Sequence, residues 1–296
     1  FVTDGDGVQE EIESMPGQYC FSIDLLVEEA AELHEWGIPA VALFPAIPET
    51  LKDQTASAAL DPAGLYPQAV RALKENLPDL LVITDTALDP YNADGHDGVV
   101  RDGTIVNDET IDIMREIAVL HAEMGADIIA PSDMMDGRVR AIREALDASG
   151  FSDTAILSYT AKYASAYYGP FRDALDSAPR HRANVPAGKD TYQMDPANSD
   201  EALRELRLDL EEGADMVMVK PALPYLDVIQ RVGQVADVPV AAYNVSGEYA
   251  MLMAADEKGW LNARDCATEA LTSIRRAGAD VILTYFAKRM ARWLQE

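Results

Sequence analysis

An apolar run that stops on a lysine asks for more than folding. Met216-Val217-Met218-Val219 follows Gly213-Ala214-Asp215, ends at Lys220-Pro221 and reads as a strand buried on both faces. An ammonium at the end of such a strand loses hydration, which disfavours the charged form and lowers its pKa. The free amine that results is a nucleophile toward carbonyl carbon. One such lysine is explained as readily by a side chain that snorkels to solvent. A second, Lys162, follows the run Ala155-Ile156-Leu157-Ser158-Tyr159, in a chain that owns only 7 lysines. Two amines at one mouth raise each other's cost of protonation, so at least one titrates low and can form an imine. Carbonyl chemistry through a Schiff base is the expectation.

The elements that must position these amines alternate along the chain. Strand-like runs at 39–44, 80–85, 128–133, 155–159, 191–195, 214–220, 238–243 and 279–285 are separated by segments with helical spacing of apolar residues. Gly-Ala-Asp recurs at 125–127, 213–215 and 278–280, each time between a helix and a strand, where glycine stops the helix. Eight such units predict an α/β fold, a (β/α)8 TIM barrel forming one domain over 1–296. Sites in such barrels lie at the carboxyl ends of the strands. Those ends carry Asp85, Ser132 with Asp133, Lys162, Gln193, Lys220, Ser246 and Tyr285. Lys162 is expected two strands before Lys220. Ser132 and Asp133 have a plainer reading as caps of the next helix. No glycine-rich phosphate loop follows a strand, so nothing supports a nucleotide site.

Charge narrows the partners. Asp and Glu number 51 against 24 Lys and Arg, a formal net charge of −27, dispersed without an acidic block. Such a field disfavours nucleic acid and anionic membranes. A lysine-poor acidic surface suits high salt, where self-repulsion is screened, and predicts a halophile. No run of 18 apolar residues predicts a membrane span. Cys20 and Cys266 match no metal or redox spacing, which points to a reducing compartment, the cytoplasm. Phe1-Val2-Thr3 reads as the end of a strand, so an N-terminal segment is expected to be missing.

Six stretches carry a resemblance: SYTAKYASAYYGPFRDA (158–174), APSDMMDGRV (130–139), TYQMDPAN (191–198), GADMVMVKPALPYLD (213–227), AAYNVSGEYAM (241–251) and RAGADVILTYF (276–286). Together they resemble the 5-aminolevulinate dehydratase family and span almost the whole chain. The resemblance implies a barrel that condenses two 5-aminolevulinate molecules into porphobilinogen with loss of two waters, each substrate held as a Schiff base. It implies that Lys220 binds the substrate that becomes the propionate side and Lys162 the one that becomes the acetate side. Ser246 and Tyr285 would hold the first carboxylate; Arg172, Lys189 and Gln193 would hold the second. Asp85, Ser132, Tyr243 and Tyr168 would line the pocket. No organic cofactor is implied. Family members assemble as octamers through an N-terminal arm.

Two departures from the family pattern stand out. The segment 181–188 reads as an insertion and a lid, with Lys189 where an arginine is usual; lysine keeps the charge but loses the bidentate fork. Zinc-using relatives have three cysteines at what are here Ala87, Asp89 and Asp97. Without thiolates a tight zinc site is not expected, and Asp89 and Asp97, with Asp94 and His96 nearby, favour Mg2+. Glu205 matches the carboxylate of an activating Mg2+ between subunits. The alternatives are a class I aldolase-like barrel, which needs one lysine, and a non-catalytic oligomeric scaffold.

Overall fold

The computed structural model describes residues 1–180 and 182–296; His181, the first residue of the expected insertion, lies outside them. Seven strands form its centre: β1 (Ala40–Leu43), β2 (Leu81–Thr86), β3 (Ile128–Pro131), β4 (Ala155–Lys162), β5 (Met216–Lys220), β6 (Val240–Asn244) and β7 (Val281–Thr284). Each pairs in parallel with the next in chain order, as right-handed crossovers through helices require. The outer layer holds α1 (Ile23–Glu35), α2 (Leu65–Asn76), α3 (Asn107–Glu123), α4 (Arg138–Ala148), α5 (Gly169–Leu175), α6 (Asp200–Glu212), α7 (Leu226–Gly233), α8 (Ser246–Glu257), α9 (Ala263–Ala277) and α10 (Ala287–Trp293). None of the described helices is long and apolar enough to cross a membrane.

The strands are apolar throughout because both of their faces are buried. Ile83, Ile128, Leu157, Met218 and Ala241 fill the barrel interior. Their neighbours Val82, Ile129, Ile156, Val217 and Ala242 pack outward against the helices, the period of two that a strand imposes. Removing one interior side chain, as in Leu157→Ala, would cost about 2–5 kcal/mol in lost transfer energy and residual cavity. At the seam between β1 and β7 stands the start of the chain. Val2 N–H donates to Phe44 O at 2.9 Å, Ala46 N–H donates to Val2 O at 2.8 Å, and the Phe1 ring stacks on Tyr285 with centroids 6.2 Å apart. The strand end expected at Phe1–Thr3 is thus a single bridging residue, Val2, between Phe21 and Pro45.

The Gly-Ala-Asp repeat has a physical cause. All three glycines have positive φ (99°, 103° and 125° at Gly125, Gly213 and Gly278), which a Cβ would resist. Each aspartate then clasps the preceding strand. Asp127, Asp215 and Asp280 accept the backbone N–H of Val82, Ile156 and Val240 at 2.8, 2.8 and 3.1 Å. Their own N–H groups donate to the carbonyls of the same three residues. Every second barrel strand is therefore pinned at its amino end by the loop that leads into the next one.

One expected strand does not form. Residues 191–195 follow a 3-10 turn, Lys189–Thr191, and make only an isolated bridge between Met194 and Tyr163. The reason is the length of β4: its eight residues pair with β5 directly, through a register shift between Ser158 and Ala161. No room is left for a strand between them, and the expected count of eight becomes seven among the described residues.

Candidate active site

The same pairing corrects the placement of the lysines. Lys162 and Lys220 are register partners on adjacent strands, not two strands apart. Parallel neighbours lie about 4.8 Å apart, so the two side chains enter the mouth together. Each is only 6 % exposed. The peptide between Lys220 and Pro221 is cis.

Their surroundings differ. Lys162 Nζ donates to Asp97 Oδ2 at 3.0 Å and to Ser132 O at 2.5 Å. Lys220 Nζ lies over four rings, with centroids at 5.1 Å (Tyr159), 5.2 Å (Tyr168), 5.2 Å (Phe171) and 4.6 Å (Tyr243). It has no hydrogen-bonded carboxylate among the described residues. Burial first, then repulsion from Lys162, brings its pKa down to about 7, against a partial pull upward from Asp85. Asp85 in turn is pushed up to about 6 by burial, although both lysines favour its ionised form. Burial thus disfavours the charged form of both the amine and the carboxyl, the condition under which acid–base work on a carbonyl becomes accessible.

Asp97 is the electrostatic centre of the other half. Besides Lys162 it accepts from Lys189 Nζ at 2.6 Å, and Lys189 also reaches Asp89 at 3.1 Å. Burial opposes ionisation of Asp97, but the two ammonium groups outweigh it and hold the carboxyl well below the usual carboxylate range. Lys189, pushed down by burial and up more strongly by Asp89 and Asp97, ends above its ordinary value. Asp89 and Asp97 were expected to hold Mg2+; here both face the Lys189 ammonium. No group of three or more His, Cys, Asp or Glu side chains able to hold an ion occurs among the described residues. A divalent ion at these two carboxylates would have to displace the Lys189 ammonium and complete its shell with water. Asp94 pairs with Arg182 at 3.3 Å, and His96 faces Tyr192 OH at 3.1 Å and Pro186 O at 2.9 Å. Cys20 and Cys266 are free thiols, Cys20 in the strand Tyr19–Phe21 and Cys266 on α9.

These contacts fold the segment 182–193 down on the loop 85–98. Gly95 lets the chains approach, since a Cβ there would stand 2.2 Å from Ala178 O, and its φ is +72°. Tyr192 OH accepts the N–H of Asp97 at 3.1 Å, fixing the carboxylate that serves both lysines. Gln193 turns its amide nitrogen to Asp97 Oδ2 at 3.4 Å. Its buried oxygen has no partner, so the atom left for a ligand is an acceptor; holding a carboxylate would require the amide to turn. Arg172, on α5, has its guanidinium carbon 5.8 Å above the Tyr168 ring and no ion pair among the described residues, whereas Lys189 already pairs with Asp89 and Asp97.

Around Lys220 the hydroxyls converge. Ser246, the first residue of α8, accepts the Phe171 N–H at 3.1 Å and donates to Tyr167 O at 3.3 Å. Tyr243 OH and Tyr285 OH are 2.9 Å apart. Gly247 permits the approach of 167: a Cβ would lie 2.5 Å from Tyr167 O. Ser132 and Asp133 do not cap α4, which starts at Arg138. Asp133 Oδ1 accepts Met135 N–H at 2.8 Å, in a turn where Met134 has φ +68°. Burial pushes Asp133 up to about 6 despite Arg138. Glu205 sits half-buried on α6, its carboxyl raised by burial and by Asp209, away from the mouth. Sequence reasoning did not single out Tyr159, Phe171 or Tyr192. Their signal was aromatic residues close in sequence to site residues, Tyr159 and Phe171 to Lys162 and Arg172, Tyr192 beside Gln193.

Paired buried amines in contrasted surroundings at the carboxyl end of a parallel barrel define the class: a barrel enzyme that works on carbonyl carbon through lysine. Comparison with known proteins gives the particular family. Residues 1–293 match the family model "Delta-aminolevulinic acid dehydratase", and the chain belongs to that family. It is 53% identical to the chloroplastic delta-aminolevulinic acid dehydratase of Chlamydomonas reinhardtii over 300 residues, 99% of this chain and 77% of that protein. Identity to the delta-aminolevulinic acid dehydratase of Synechococcus elongatus is 53% over 298 residues, 99% and 89% of the two chains. A crystal structure of the Toxoplasma gondii ME49 protein, in complex with its reaction product porphobilinogen, superposes with a TM-score of 0.96 at 52% identity, covering 99% of this chain and 82% of that one.

Proposed function

We propose that this chain is a porphobilinogen synthase, a lyase that condenses two molecules of 5-aminolevulinate with loss of two waters. The observation that carries this is the in-register pair Lys162 and Lys220 in contrasted surroundings. One lysine suffices for an aldolase; two amines facing one mouth suit two keto substrates. Lys220, with a pKa brought down to about 7, supplies free amine to attack the first ketone. Carbon–nitrogen bond formation expels the ketone oxygen as water, and Asp85, a buried carboxyl pushed up to about 6 whose charge acts on Lys220, would give and take the proton through the bound substrate or a water. Lys162 receives the second substrate once its bond to Asp97 is exchanged. Ser246 and Tyr285, with Tyr243 beside it, supply hydroxyl donors for the first carboxylate, and Arg172, which has no ion pair among the described residues, is the cation for the second. The test is incubation with 5-aminolevulinate, assay with Ehrlich's reagent and borohydride trapping with peptide mapping. Colour formation with label at both lysines is expected; label only at Lys220 without porphobilinogen would sink the reading.

The finer expectations rest on the family and on composition. An activating Mg2+ at Glu205 would draw further ligands from a neighbouring subunit, because Glu205 belongs to no group of three donors among the described residues; no step of the reaction is routed through it. The loop 85–98 contains no cysteine, which supports assignment to the thiolate-free type. A homo-octamer, a cytoplasmic setting and a salt-rich host follow from the family and from the charge of −27. Gel filtration and thermal unfolding across KCl concentration check the first and the last.

A further inference from the structure

The mechanism leaves unexplained what carries the positive charge at Lys220. When its amine and a ketone combine with one proton, water leaves and a cationic C=N+–H remains on Nζ. No carboxylate is hydrogen-bonded to that nitrogen among the described residues, in contrast to Lys162, which has Asp97 at 3.0 Å. What surrounds it instead is four π faces at 4.6–5.2 Å, all inside the range over which a ring quadrupole attracts a cation.

The rings come from three parts of the fold: Tyr159 from β4, Tyr243 from β6, and Tyr168 with Phe171 from the segment that closes over the mouth. Three hold their places by independent contacts. Tyr168 OH donates to Lys220 O at 3.2 Å, Tyr243 OH meets Tyr285 OH, and Phe171 packs edge-on against Phe44 with centroids 5.0 Å apart. A purely apolar wall would need no such convergence of faces on one nitrogen, and a carboxylate would tie the amine up as an ion pair before substrate arrives. Neutral π faces attract the cation without accepting its proton.

We infer that Tyr159, Tyr168, Phe171 and Tyr243 form an aromatic cage that stabilises the cationic imine on Lys220, which makes them catalytic residues of this half-site. The inference rests on the Schiff-base reading above. Its test keeps the shape of the site and drains the ring faces: Phe171 is replaced by mono-, di- and trifluorinated phenylalanine, with Phe171→Leu and Tyr243→Leu beside Tyr243→Phe. Each fluorine should lower kcat stepwise while KM changes little. Loss of one face, as in Phe171→Leu, should lower kcat about tenfold. Because the cage also favours the ammonium, the same variants should move the pH midpoint for borohydride trapping at Lys220 downward, a shift that loosened packing would not produce. Tyr243→Phe should keep most of the effect that Tyr243→Leu loses. Unchanged kcat and pH midpoint along the fluorinated series would overturn the cage. Failure of the wild-type enzyme to trap substrate or form product would overturn the underlying reading instead.

Discussion

Lys162 and Lys220 are the same residue type at the same height on neighbouring strands, yet the two sides of the mouth treat them in opposite ways. The Lys162 side is ionic: Asp97 serves Lys162 and Lys189, Asp89 shares Lys189, and Tyr192 fixes Asp97 from above. The Lys220 side is aromatic, with hydroxyls at its rim and no ion pair among the described residues. Both amines are buried to the same degree; what differs is whether a hydrogen-bonded carboxylate faces the ammonium. The strands thus set the position of both amines and supply part of the aromatic side through Tyr159 and Tyr243, while the ionic side is supplied by the loops after the strands.

The strongest way to break this comparison is to remove the amines. Lys220→Met and Lys162→Met should each lower kcat/KM by about a thousandfold or more, since each removes a covalent step. A variant that keeps a tenth of the activity in the Ehrlich assay would reduce the scheme to one lysine. Next in size is Asp97→Asn, which leaves two buried ammonium groups short of a charge. Urea unfolding should show a loss of about 3–5 kcal/mol. The sign with pH follows from the depressed carboxyl. The contribution of Asp97 is present above the ordinary carboxylate pKa of about 4 and is lost as pH falls through and below it. The wild type should therefore lose its advantage over Asp97→Asn in acid. An equal gap between the two proteins at pH 3 and pH 7 would show that Asp97 acts by packing, not charge.

How far the sequence carried these conclusions depends on the kind of contact. The strand-end lysines were legible because an apolar run ending in a cation has few explanations, and the Gly-Ala-Asp repeat was legible because it recurs, although its two-bond clasp was not. The run 191–195 misled because Thr, Tyr, Gln and Met suit a strand; only the direct pairing of the eight-residue β4 with β5 rules one out. That error moved Lys162 one strand too far. The Asp97–Lys189 pair joins residues 92 positions apart, and no local pattern announces a buried ion pair of such range. The sequence therefore offered the loop carboxylates as metal ligands and gave no sign that Lys189 of the same chain lies against them.

A smaller effect separates the two amines kinetically. With its pKa at about 7, Lys220 is mostly protonated at pH 6 and half free at pH 7. Trapping at that residue should rise about fivefold between those two pH values and level off above pH 8. Peptide mapping under single-turnover conditions reads this for each lysine separately. Coincident profiles at Lys162 and Lys220 would mean that the ionic and aromatic surroundings do not set the order of reaction.

The smallest effect expected is that of salt on the site itself. The charge of −27 is spread over a surface where the Debye length shrinks from about 10 Å at 0.1 M to about 3 Å at 1 M. Molar KCl should raise the midpoint of thermal unfolding by relieving repulsion among exposed carboxylates. Lys162, Lys189 and Asp97 are 6 %, 6 % and 0 % exposed, so ions do not come between them, and the gap between wild type and Asp97→Asn should hardly change with salt. The Lys220 trapping midpoint should stay in place for the same reason. If it instead follows KCl as closely as the unfolding midpoint does, the amine is tuned by the field of the whole surface, and the contrast between its aromatic neighbours and the carboxylate at Lys162 is not what distinguishes the two half-sites.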